Sequence, residues 1–411
     1  MKNKDRWIDI LIFNFCIVAL LGVTLRSKIL FSIPFLDYNR LLDAHFHFAF
    51  TGWVTLALVV LMVSEILPVE LNSKRIYKWL PGGILAAAWL LLLFSPLPAN
   101  SPGASLCSTI FILVTYVFAW AFIRDMRHAV ISKAAKLLSV SAVIFLVASS
   151  TGVFALAYLF ATKSLNSFAY RDALYTYLHF QYNGFFTLGV FAILVNKLET
   201  KMSEASKRGA YQFSVLLCIS TFLSLFLTYL WRDPNIVYRI LAICGSITLL
   251  LTFAFFIRLA ISMKGISDYF KPQIRPMVFL FLGAFLLKIF LQSFTLFPVV
   301  GNAVFGDRPV IIGFLHLVFL GFVTLFLFTW FANAGYLNVG SGFTKFALGT
   351  FTVVVFLNEA VLMTQGLGAM FIKSSYIFTW LLWALSILLF ISALLIGVAR
   401  IKTKAESGVI N

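Results

Sequence analysis

Apolar residues in this chain gather into long, nearly continuous runs rather than narrow stripes separated by polar faces. An α-helix needs about 20 mainly apolar residues to cross the hydrocarbon core of a bilayer. Twelve runs meet that need, over residues 7–25, 40–63, 77–94, 106–123, 137–160, 173–195, 211–230, 236–257, 277–297, 310–331, 346–363 and 378–399. The joints between them are short. Pro, Gly, Asn and Ser mark many, as in Ser95-Pro96-Leu97-Pro98-Ala99-Asn100-Ser101-Pro102-Gly103. The pattern predicts an all-α polytopic membrane bundle of twelve transmembrane helices, forming one domain over residues 1–411. No convincing internal repeat is evident, which weakens an inverted-repeat transporter reading.

Charge orients the bundle. With residues at the span ends counted to the adjoining segment, the segments on the side of both termini carry 22 Lys and Arg, and the opposite loops carry 9. Lys288, inside a span, completes the 32. Basic loops stay cytoplasmic, so both termini are expected inside the cell. Composition agrees with a membrane protein. The chain is 61% hydrophobic and 11% charged, too apolar for a water-facing surface. The net charge of +17 does not point to nucleic acid, because the basic residues sit in short loops between apolar runs. Cys16, Cys107, Cys218 and Cys244 stand singly in apolar runs, which suggests no disulfide framework. The basic start, Met1 to Arg6, leads into an apolar run without a clear small-residue cleavage site. It is read as a retained first helix.

Chemistry enters with the histidines. His128 lies in a basic loop and is read as solvated, whereas His45, His47, His179 and His316 lie within the second, sixth and tenth spans. All three spans enter from the outer face. At about 1.5 Å rise per residue these rings lie roughly 8–12 Å below that end. A histidine in hydrocarbon is costly and marks a functional site. Each is either a metal ligand or a neutral hydrogen-bonding group between helices. His45 and His47 are about 200° apart around one helix, so they are expected to serve different partners. Asp43 lies one turn before His47, as a partner for its ring or as a helix cap.

Further polar groups lie toward the same face. Lys288 and Gln292 occupy the ninth span, and Asn358 and Glu359 the eleventh, so Lys288 and Glu359 are a candidate ion pair. Arg171, Arg232 and Arg308 stand at outer helix ends, as membrane anchors or as ligands of anionic groups. Tyr175, Tyr177, Tyr182 and Asn183 make the sixth span polar around His179.

These features resemble the catalytic subunit of the haem-copper oxidase superfamily. The shared elements are twelve helices, internal termini, and histidines on helices 2, 6 and 10 near the outer face. The stretch Asp43-Ala44-His45-Phe46-His47 has the family-like Ala-His start, so the resemblance implies that His45 is an axial ligand of a low-spin haem. Phe314-Leu315-His316 retains one of the two histidines of the family's tenth helix and best matches the second axial ligand. The departures are large. Helix 6 reads His179-Phe180-Gln181-Tyr182-Asn183, and the seventh span has no histidine, so the usual three-histidine copper site cannot form. The chain is also similar to the NnrS-type membrane proteins, linked to haem, copper and nitric-oxide stress.

The resemblance therefore implies a multi-pass protein of the bacterial inner membrane with one bis-histidine haem on His45 and His316. Arg232 and Arg308 are expected on its propionates, with Gly52 making room for the planar cofactor. His179 with His47 is expected to form a second site, for a metal ion such as copper, a quinol or nitric oxide. The expected role is electron transfer or a redox response, served by a quinol or a redox partner protein. The alternative is a secondary transporter of a small solute with no haem.

Overall fold

The computed structural model describes residues 4–94, 102–232, 234–263, 266–370, 375–406 and 408, which leaves most of the Pro-rich joint at 95–103 outside. It is 89% helical and has no strand among these residues. Twelve helices are long and apolar enough to cross a membrane: α1 (Lys4–Leu30), α2 (Tyr38–Ile66), α3 (Arg75–Phe94), α4 (Leu106–His128), α5 (Lys133–Ala161), α6 (Ser167–Lys201), α7 (Glu204–Arg232), α8 (Ile236–Ser262), α9 (Pro272–Phe294), α10 (Arg308–Asn333), α11 (Gly342–Gly368) and α12 (Ile377–Glu406). The chain is a multi-pass membrane protein.

Most helices outrun their apolar windows because polar residues cap them. The side chains of Ser132, Asn166 and Ser203 accept from Ala135 N, Ala169 N and Ser206 N at 3.0, 3.0 and 3.1 Å. Asp37, not Asp43, caps α2, accepting from Arg40 N at 2.9 Å. A short helix at Pro298–Gly306 fills what reads as a loop between α9 and α10.

Two helices sit at the centre. Buried residues make up 83% of the apolar window of α2 and 89% of that of α6, against 33% for α3, α5, α8 and α12. Four helices depart from α geometry within their spans: α7 tightens to a 3-10 helix over Ser224–Arg232, and three others widen. Wider π-helical turns occupy Ala49–Thr55 of α2, Phe180–Phe186 of α6 and Leu317–Thr324 of α10. Such turns disturb the i to i−4 ladder and often accompany function. Polar side chains bond carbonyls within them: Asn14 Nδ2 donates to Gly52 O at 2.7 Å, and Thr187 Oγ1 to Tyr182 O at 2.6 Å.

Ion pairs tie the face that holds both termini. Arg400 of α12 bonds Asp5 at 2.5 Å and Asp9 at 2.7 Å on α1. Glu65 of α2 pairs with Lys4, and Asp125 of α4 takes Lys74 at 2.8 Å. Elsewhere helices meet backbone to backbone. A Cβ on Gly152 of α5 would lie 2.4 Å from Ala173 O of α6, and one on Gly245 of α8 would lie 2.6 Å from Leu223 O of α7.

This packing predicts opposite outcomes for two glycines. Gly152→Ala should lower stability by about 1–3 kcal/mol, since backbone cannot give way cheaply. Gly283→Ala, which would meet nothing within 4 Å, should be neutral or stabilising. Thermal unfolding of the purified variants in detergent checks both.

Candidate functional site

A cavity of about 200 Å³, measured as space open to a water's centre, lies between α1, α2, α10, α11 and α12. One water needs roughly 10–15 Å³ on that measure, so the cavity exceeds what a structural water or two occupies. It runs from Arg26, Leu42 and Ile312 toward the outer face down to Phe15, Trp53 and Thr324. The twelve steps along α10 from Ile312 to Thr324 give it a depth of roughly 18 Å. Phe46, Phe50 and Phe319 line its wall.

His45 and His316 both line it. His45 Nδ1 donates to Val18 O of α1 at 3.1 Å, and His316 Nδ1 donates to Ile312 O one turn back at 2.8 Å. A carbonyl accepts only, so each Nδ1 carries the proton and each Nε2 keeps its lone pair. Neither Nε2 has a hydrogen-bond partner among the described residues. Gly22 makes the approach to α1 tight: a Cβ there would stand 3.4 Å from His45 Cε1. At the base, Trp53 Nε1 donates to Thr324 Oγ1 at 3.0 Å and joins the π turns of α2 and α10.

The other sequence-marked residues stand elsewhere. His179 is fully buried but does not line the cavity. Its Nε2 donates to Thr221 O at 2.8 Å and its Nδ1 accepts from Asn183 Nδ2 at 3.1 Å. Both nitrogens are engaged, so His179 acts as a bridge between α6 and α7 with no lone pair left for copper. His47 also stands outside the cavity, as its position around the helix from His45 requires. Its ring packs edge-on to Phe46. Asp43 is exposed and makes no bond to His47 among the described residues. No group of three or more His, Cys, Asp or Glu side chains suited to a metal occurs among the described residues.

The arginines also redistribute. Arg232 pairs with Asp172 at 3.0 Å, and Arg308 donates to Tyr38 OH at 2.8 Å, so neither lines the cavity. Arg26 does, and it makes no ion pair or hydrogen bond among the described residues. It reads in sequence as one more outer-loop charge. Gly52 is filled by its own helix, since a Cβ there would strike the Phe48 ring at 2.8 Å, so it makes no room for a cofactor. The expected Lys288–Glu359 pair does not form. Lys288 Nζ donates to Thr187 Oγ1 of α6 at 3.1 Å, and Glu359 Oε1 accepts from Asn358 Nδ2 at 3.2 Å. α10 packs against both α9 and α11 and stands between the two residues.

A repeated pattern emerges once the π turns are aligned. His47-Phe-Ala-Phe-Thr-Gly52-Trp-Val-Thr55, His179-Phe-Gln-Tyr-Asn-Gly184-Phe-Phe-Thr187 and His316-Leu-Val-Phe-Leu-Gly321-Phe-Val-Thr324 share His, Gly, an aromatic residue and Thr at fixed spacing. The three copies fall on helices four apart in chain order, and each Gly lies within a π turn. The chain therefore does carry a short internal repeat. No protein-family model matches this sequence, and no curated protein matches it.

Thr324→Val should strand the buried Trp53 N–H and cost about 1–3 kcal/mol. Thr329→Val, which removes only a bond to the hydroxyl's own helix (Leu325 O, 2.6 Å), should cost less. Chemical unfolding followed by tryptophan emission separates the two.

Proposed function

We propose that this protein binds one haem in the cavity between α2 and α10, with His45 and His316 as its axial ligands, and serves electron transfer or a redox or nitric-oxide response in the bacterial inner membrane. The observation that carries the reading is the pair of imidazoles on one cavity, each with Nδ1 tied to a carbonyl and Nε2 free. That is the arrangement in which a metal-binding histidine is oriented and made more basic. The wall of Phe46, Phe50 and Phe319 suits a flat apolar ring, and the guanidinium of Arg26 suits an acidic substituent. Asn358 and Ser386 add polar edges.

His45 and His316 would hold the haem, and the chemistry it would supply when bound is one-electron transfer. The chain's own part is to exclude water and hold both rings still. It also places a cation where negative charge has to be buried. A quinol or a redox protein is the proposed electron donor. Copper is left out of the proposal, because His179 has no free nitrogen in this arrangement.

The purified protein should show a Soret band and stain for haem. His45→Ala and His316→Ala should each abolish the band, while His47→Ala and His179→Ala should keep it. Arg26→Gln should weaken haem retention about tenfold, near 1.4 kcal/mol. A colourless protein that stays colourless after haem is added would reject the reading in favour of a secondary transporter.

A further inference from the structure

We propose that Lys288 is the centre of a second, buried site on the other side of α10, which holds water and exchanges a proton with it. Lys288 is 3% exposed, and its Nζ makes one hydrogen bond among the described residues, to Thr187 Oγ1. That hydroxyl already gives its hydrogen to Tyr182 O, so it can only accept from Lys288. It is the Thr of the repeated pattern. The equivalent Thr324 likewise accepts a donor from a neighbouring helix.

An ammonium has three N–H donors, so two remain. The elements around them carry acceptors without partners. Asn183 Oδ1 and Gln292 Oε1 are both buried and lack any hydrogen-bond partner. The packing of α6 on α9 sets their level. Phe191 packs edge-on to Phe285 with centroids 4.4 Å apart, and Thr187 meets Lys288. The helices run antiparallel, so Asn183 and Gln292 both lie about one turn from the Thr187–Lys288 contact toward the outer face. Two spare donors and two spare acceptors separated by about a turn are matched by bridging water, which typically makes about three hydrogen bonds. An anion is the rival occupant: Gln292 Nε2 also has no hydrogen bond among the described residues and could donate to it, but the Asn183 and Gln292 oxygens would repel it.

Among the described residues Lys288 makes no ion pair. Between their flanking charged residues the helices around it offer few titratable groups: His179 and three tyrosines on α6, Tyr211, Cys218 and Tyr229 on α7, Cys244 on α8 and His316 on α10. With water alongside, the ammonium can break an N–H bond, pass the proton to a water oxygen and remain as a neutral amine, then take the proton back. The charge that hydrocarbon disfavours is thereby made optional. The inference needs no haem and stands apart from the reading above.

Solid-state NMR of the whole protein in lipid, with nitrogen-labelled lysine, tests it. Lys288→Met should remove one side-chain nitrogen signal, which assigns Lys288. In the wild type that signal should show transfer from water and move between the ammonium and amine positions as the sample goes from acid to alkaline. Gln292→Leu should keep the signal and weaken the water transfer, and it serves if Lys288→Met does not fold. A signal without water transfer, or one fixed at every pH, overturns the proposal. A shift on adding chloride at constant pH would also overturn it, by making the site an anion site.

Discussion

A polar atom in hydrocarbon has nowhere to turn but the protein, and four imidazoles within the apolar spans of α2, α6 and α10 make that constraint decisive here. His45 and His316 each solve half of the problem by giving Nδ1–H to a carbonyl, and His179 solves all of it by bonding at both nitrogens. The difference separates a ligand-ready ring from a structural one. It follows from what each ring meets and not from its depth, which is similar for all.

The wider turns in α2, α6 and α10 connect this chemistry to the fold. A π turn shifts the azimuth of the residues beyond it and disturbs the carbonyl ladder, and here side chains bond those carbonyls: Asn14 at Gly52 and Thr187 at Tyr182. In two of the three repeats the closing threonine then takes a donor from a neighbouring helix, and the donors differ. On α10 it takes an indole N–H, which seals the cavity base, and on α6 it takes an ammonium, which defines a second polar region. One local pattern thus yields two environments, apolar and aromatic around the paired histidines and polar around Lys288.

The twelve spans were legible because length and hydropathy report directly on the bilayer, and the meeting of His45 with His316 was legible through depth and alternation of direction. The azimuth of a side chain was not, because each π turn resets it by contacts that lie far away in sequence. For that reason His179 looked like a ligand, although Asn183, one turn on and on the same face, was a visible partner. The fixed spacing of His, Gly and Thr in three helices was also in the sequence, hidden by the very different residues between them. Arg26 was masked by its place at a helix end, where any arginine resembles a headgroup anchor. Lys288 and Glu359 were matched by sign and depth alone, and the helix between them was invisible to that argument.

The ring of His45 leans on α1 through the Val18 carbonyl, and the far end of the same helix is clamped to α12 by Arg400. α1 is fastened to α12 on both sides of that carbonyl, since Trp383 Nε1 of α12 also donates to Ser27 Oγ near the other end at 3.0 Å. The imidazole tied to α1 thus inherits the stiffness of a rod pinned at each end, whereas the one on α10 is held within its own helix.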